Sequence, residues 1–200
     1  MANLTKSYAI ALAHQAVTHP ATVVGSALDV STKLGLTLAL FHASIEAIAN
    51  TNPGKFLVQL SGAASGNEDW VTVYTFDATI STADTEAMTA TEPIGETALA
   101  VALTAGFVAN DILYIQDTGT LANSEWGRCR EIVTNTSIDL VDGLTNQKDS
   151  SDIIMNDADM FVCQLDLTAV GRVRVVFQHE GTTGVNCHIK AMAIYGDSIG

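Results

Sequence analysis

From Leu28 to His42, the residues Leu28, Val30, Thr32, Leu34, Leu36, Leu38 and Leu40 alternate with Asp29, Ser31, Lys33, Gly35, Thr37 and Ala39. Successive side chains of a strand point to opposite faces, so this period of two predicts one long strand. Trp70–Phe76 repeats the pattern, with Trp70, Thr72, Tyr74 and Phe76 on one face and Val71, Val73 and Thr75 on the other. Apolar groups on both of those faces imply cover on both sides. Near the C-terminus, Phe161, Cys163, Leu165 and Leu167 oppose Met160, Val162, Gln164 and Asp166, and Val173, Val175 and Phe177 oppose Arg172, Arg174 and Gln178. After a turn at Glu180–Gly184, the residues Val185, Cys187, Ile189, Ala191, Ala193 and Tyr195 form a further inward face, which predicts a 171–195 hairpin. Shorter strands are expected at Lys55–Leu60, Ala98–Leu103, Ile112–Gln116, Arg128–Val133 and Ser137–Val141. Asn50-Thr51-Asn52-Pro53-Gly54 and Asp142-Gly143 punctuate them as turns, because Pro presets φ and Gly accepts positive φ.

These patterns predict an all-β chain: a β-sandwich, jelly-roll or Ig-like, with an inserted small β-barrel-like unit and an extended N-terminal arm. The arm is residues 1–27, where alternation is missing and a short helix fits Tyr8–Val17. The sandwich takes 28–95 and 158–200, and the inserted unit takes 96–157. At 200 residues the chain is long enough to bury a substantial core.

Composition adds a tension. Hydrophobic residues make up 48% of the chain and charged ones only 16%, yet no uncharged run holds the roughly 20 apolar residues of a spanning helix. Lys6 before Tyr8–Ala13 imitates a leader, but that apolar core is six residues long and no leader is expected. Apolar surface on this scale points to assembly. The net charge of −13 argues against direct nucleic-acid or anionic-membrane binding, which draws on Lys and Arg. The charges are also segregated: Phe56–Gly127 holds ten acids and no Lys or Arg. Arg172 and Arg174 share one parity in the predicted hairpin, as do His188 and Lys190, so these four are expected to form a basic strip. Such a strip either keeps a sheet edge from pairing or meets an acidic surface on a neighbour.

Residues suited to catalysis are present without the settings that catalysis needs. Ser, His and Asp occur, but with no Gly-x-Ser-x-Gly elbow, no His-x-x-x-His spacing and no glycine-rich phosphate loop. No enzyme activity and no cofactor are expected. Asp149, Asp152, Asp157 and Asp159 supply hard oxygen ligands and are weak calcium candidates, although the Gly and terminal Glu of an EF-hand loop are missing. Cys129, Cys163 and Cys187 are an odd number at no metal spacing, so no disulfide framework is expected; Cys163 and Cys187 fall on apolar strand positions and read as buried thiols, which fits a reducing cytoplasm. Trp70 and Trp126 each open a strand after a polar loop, either capping a core or offering a sugar-stacking platform.

Gly106-Phe107, Asn110-Asp111-Ile112-Leu113-Tyr114-Ile115-Gln116-Asp117, Asn123-Ser124-Glu125-Trp126 and Ile138-Asp139-Leu140-Val141-Asp142-Gly143-Leu144-Thr145 together resemble a pattern in tailed-bacteriophage virion structural proteins. The resemblance covers about a fifth of the chain, with a looser likeness in the C-terminal strands. It implies a non-enzymatic virion component made in the host cytoplasm, most readily a capsid decoration or cement protein that bridges capsomers. The partners it implies are the chain itself, as a homo-oligomer and often a trimer, and the major capsid protein or other virion proteins. A tail, neck or adhesion component, or a carbohydrate-binding β-sandwich module, is the alternative.

Overall fold

The computed structural model describes residues 4–18, 20–44, 54–66, 69–78, 84–179 and 186–199. They form the strands β1 (Leu4–Thr18), β2 (Ala21–Val24), β3 (Leu28–Asp29), β4 (Gly35–Ser44), β5 (Lys55–Ser61), β6 (Val71–Asp77), β7 (Thr85–Ala87), β8 (Ala98–Ala100), β9 (Ile112–Gln116), β10 (Glu125–Val133), β11 (Ser137–Leu140), β12 (Ile153–Met155), β13 (Ala158–Leu165), β14 (Arg172–His179) and β15 (Asn186–Ile199). Among the described residues there is no α-helix, and the all-β expectation holds.

Two sheets face each other as a sandwich. One runs β1-β15-β4-β13 and the other β2-β14-β5-β6, with β3 paired to β14, all antiparallel. The alternation of β4 turns Leu36, Leu38 and Leu40 inward, where they meet Val173, Val175 and Phe177 of β14, Phe56 and Val58 of β5, and Ile189, Ala191 and Ala193 of β15. The third sheet, β7-β12-β9-β10-β11-β8, curls into a half-barrel around Leu99, Leu113, Ile115, Cys129, Ile138 and Ile154. In the turn after β11, a Cβ at Gly143 would run into the backbone of Gly95, so this close approach requires a glycine.

Several elements depart from the sequence reading. The strand expected over 28–42 is interrupted, because the Asp29 carboxylate accepts from the Ser31 amide (3.0 Å) and hydroxyl (2.7 Å) and folds the chain into a turn. Regular pairing resumes at Gly35. Residues 4–18 of the expected extended arm form no helix at Tyr8–Val17 but a strand along β15. Register shifts between Ile10 and Leu12 and between Leu12 and Gln15 leave neighbouring Ala11 and Leu12 both buried. Such bulges erase the period of two that would have revealed the strand. β7, which precedes the expected boundary at residue 96, is already hydrogen-bonded into the half-barrel sheet. The turn expected at Glu180–Gly184 and the part of the first turn before Gly54 lie outside the described residues.

The 171–195 hairpin is replaced by a packing across the sandwich. β14 and β15 belong to opposite sheets, and their inward residues meet through the core. Their outward faces therefore diverge.

Candidate functional site: open edges, a paired-arginine face and a buried seam

The divergence of β14 and β15 separates the four residues expected to form one basic strip. Arg172 and Arg174 lie on the outer face of the β2-β14-β5-β6 sheet. Arg172 Nε donates to the Ala63 carbonyl (2.8 Å) and Arg174 Nε to Gln59 Oε1 (2.7 Å). Their guanidinium carbons stand 5.0 and 4.2 Å from the ring centre of Trp70, in cation–π contact. His188 and Lys190 lie on the outer face of the other sheet, and His188 is buried there against the half-barrel.

That burial creates a polar seam which sequence patterning does not reveal. The bulges of β1 aim His14 at the half-barrel, and the outward parity of β15 aims His188 the same way. Tyr114 of β9 lies between them, its hydroxyl 2.7 Å from His188 Nδ1 and 3.2 Å from His14 Nε2. Trp126 closes the cluster. Its ring centre is 4.7 Å from that of Tyr114 and 5.0 Å from that of His14, and its Nε1 donates to the His42 carbonyl (3.1 Å). Burial, and next the charge of Lys190, lowers the pKa of His14 to about 4; burial, and next His14, lowers that of His188 to about 4. Burial also pushes the Tyr114 phenol well above its ordinary value. All three are therefore neutral near pH 7. Two neutral imidazoles around a protonated phenol make a hydrogen-bonded rivet between sheets, with no activated nucleophile. The only sequence hint was His14 in a stretch lacking alternation.

The four acidic calcium candidates do not converge. Asp152 is buried and accepts from the Thr118 amide (2.9 Å) and hydroxyl (3.0 Å) and from the Asp149 amide (2.9 Å), so its carboxylate organises a loop. Asp157 is buried and receives the Ser44 amide at its carbonyl (2.9 Å), and Asp159 lies 3.4 Å from His42 Nδ1. Among the described residues, no three His, Cys, Asp or Glu side chains are arranged to hold a metal. Cys129, Cys163 and Cys187 are free and buried, and burial raises all three thiols, that of Cys187 to about 12. Trp70 is covered by the arginines and Trp126 by the seam, although Trp126 also borders a cleft of about 400 Å³ beside Phe41, Arg128, Asp142 and Met160.

Among the described residues, β6 and β13 each end their sheet. Between Val58 and Gln59 the register shifts, so Thr72 pairs with Gln59, Tyr74 with Val58, and Val73 bulges out. The bulge corrects the expected single face. Trp70 and Thr72 turn outward with Gln59, whose Nε2 donates to Thr72 Oγ1 (3.1 Å), while Phe76 turns inward to Phe161 with ring centres 5.3 Å apart. The cover expected on both faces of β6 is absent: every residue from Val71 to Thr75 is exposed, Val71 at 63%. Met160 and Val162 of β13 are exposed as well.

No family model matches the chain, and no curated protein matches it. Among solved structures, that of infectious bursal disease virus Gx strain matches at 11% identity and a TM-score of 0.23, over 96% of this chain and 41% of that one. The infectious bursal disease virus VP2 subviral particle matches at 10% identity and a TM-score of 0.21, over 98% of this chain and 42% of that one. VP17, a capsid protein of bacteriophage P23-77, matches at 10% identity and a TM-score of 0.19, over 98% of both chains. The chain thus spans about two fifths of the bursal disease virus chains it matches. TM-scores this low do not amount to a shared fold. Among the described residues, no helix is long and apolar enough to cross a membrane.

Proposed function

We propose that the chain is a non-enzymatic virion structural protein, a capsid decoration or cement protein that bridges capsomers as a homo-oligomer. The observation that carries this reading is β6. Among the described residues it ends its sheet, is exposed from Val71 to Thr75, and contains no Lys, Arg or Pro, with the bulge at Val73 and the terminal Asp77 as its only guards against pairing. A lone protein usually blunts such an edge with charge, proline or a covering loop, whereas an assembling one leaves it for a neighbour. Val71, Val73 and Tyr74 bring exposed apolar side chains to this edge, and Met160 and Val162 are exposed on the end strand of the other sheet. The resemblance of residues 106–145 to tailed-bacteriophage virion proteins supports the virion setting.

Light scattering of the purified protein tests the assembly, and co-sedimentation with undecorated phage shells tests the partner. The wild type is expected to form a defined oligomer and to pellet with shells. A Val71→Lys/Val73→Glu variant is expected to lose both while keeping its stability within about 0.5 kcal/mol, because these are surface substitutions. A wild type that stays monomeric and leaves shells bare sinks the proposal.

A further inference from the structure

The outer face of β14 holds two guanidinium groups that have no counter-ion among the described residues. Arg172 and Arg174 are two residues apart on one strand, so both point to the same side. Among the described residues, neither has a carboxylate within ion-pair distance, although the net charge is −13. Asp29, the cross-strand partner of Arg172, turns its carboxylate to Ser31 instead. The Nε–H of each arginine is fixed to an oxygen of the same chain, and Trp70 lies against both planes, so the side chains are held in place before any ligand arrives. The indole Nε1 of Trp70 adds a buried donor with no acceptor among the described residues. Arg172 is 9% exposed and its Nη2 also reaches Ser61 Oγ (3.5 Å), so Arg174 is the more open of the two forks. Burial, and next the charge of Arg172, lowers the pKa of Arg174. The two like charges on adjacent same-side positions of one strand repel. A planar oxyanion that accepts from the remaining N–H groups of both removes that repulsion.

We propose that Arg172, Arg174 and Trp70 form a binding site for a carboxylate supplied by a second copy of this chain. The choice of a second copy rests on the assembly reading above and on charge complementarity: the 56–127 stretch has ten acids and no Lys or Arg, and its Asp69, Asp77 and Asp84 are exposed. The contact sets which neighbour docks and in what register, with apolar edges supplying most of the buried area.

Calorimetric titration of the full chain with an oligoglutamate peptide, and separately with inorganic sulfate, tests the site. Saturable binding of the peptide is expected, weakened about tenfold in Arg174→Gln and further in Arg172→Gln/Arg174→Gln. Arg174→Lys, which keeps the charge but not the fork, is expected to fall between wild type and Arg174→Gln. Circular dichroism confirms that each variant is folded, and Arg174→Gln alone suffices if the double variant is not. Binding that is non-saturable, or equal in wild type and Arg174→Gln, overturns the site. So does binding that emerges only after Glu68→Gln, since the chain's own acid would then fill the pair. Sedimentation of the protein alone tests the donor: self-association is expected to weaken in about 0.5 M NaCl, where screening is strong, and in the double variant. Peptide binding without self-association overturns the second copy as donor. Shell binding without peptide binding overturns the clamp and leaves the virion role standing.

Discussion

Lys148→Met is expected to destabilise the fold by about 3–5 kcal/mol, read as a lowered midpoint of urea unfolding at pH 7. Lys148 is fully buried, and its ammonium donates to Glu125 Oε1 (2.7 Å), the Asn123 carbonyl (2.8 Å) and the Asn146 carbonyl (3.3 Å). Glu125 also accepts from the Thr145 amide (2.8 Å) and hydroxyl (2.6 Å) and from the Asn146 amide (3.2 Å). The pair therefore ties the turn before β10 to the 145–148 loop. Methionine fills the volume but leaves a carboxylate and two carbonyls short of a donor, and an uncompensated buried charge accounts for most of the cost. Adding Glu125→Gln to Lys148→Met is expected to recover part of the loss, because the two residues are coupled.

The pH dependence separates a lost charge pair from lost packing. Burial works to raise the pKa of Glu125, but hydrogen bonds from Lys148 and Thr145, together with the Lys148 charge, outweigh it and leave the group below its ordinary value of 4.5. A carboxyl depressed in the folded state contributes stability that is present above its unfolded pKa and is lost as pH falls through the folded one. The penalty of Lys148→Met should therefore shrink on acidification below about 4.5. An equal penalty at pH 7 and pH 4 would show that packing, not the ion pair, carries the effect.

The second large effect is expected at the seam, where stability should fall as pH drops from 6.5 towards 4. His14 and His188 titrate near 6.5 when unfolded and near 4 when folded, so between those values the unfolded chain binds more protons. The stabilisation is complete above 6.5, declines through the window and is gone below about 4. Protonated imidazoles would face each other across the Tyr114 hydroxyl with Lys190 nearby, and no acidic group contributes to either shift. The carboxyls Asp29, Glu96, Asp117 and Asp166 are depressed by their hydrogen bonds, and so the stability they contribute is lost at lower pH than that of the histidines. His14→Gln is expected to flatten the decline. Tyr114→Phe is expected to cost about 1–3 kcal/mol by leaving two imidazoles without their shared partner. A wild type whose unfolding midpoint is flat from pH 6.5 to 5 would refute the rivet.

Strands with unbroken alternation were legible. β5 and β13 match within a few residues, because a face buried on one side forces a period of two. β9 was expected at Ile112–Gln116 and is found there, as a short apolar run bounded by turns, and β11 and β14 also match within a few residues. β1 was not legible, since its bulges change the face twice and its residues read as an arm. The pairing of Arg172 with Arg174 was legible from parity alone. Its separation from His188 and Lys190 was not, because parity says which residues share a side of one strand and nothing about which sheet the next strand joins. The seam was illegible for the same reason: His14, Tyr114 and His188 come from three strands up to 174 residues apart in sequence.

By itself, the sequence determined that the chain is all-β, which side chains of β4, β13 and β14 face its core, and that few charges are available to solvate a large apolar complement. Alternation and composition are local properties, and burial enforces them strand by strand. Only the tertiary structure decided that β14 and β15 face each other across a sandwich, that β1 zips along β15, that two histidines and a tyrosine rivet the half-barrel to it, and that β6 ends its sheet among the described residues. Those outcomes depend on strand order and on bulges, which set long-range pairing and leave little trace in local pattern.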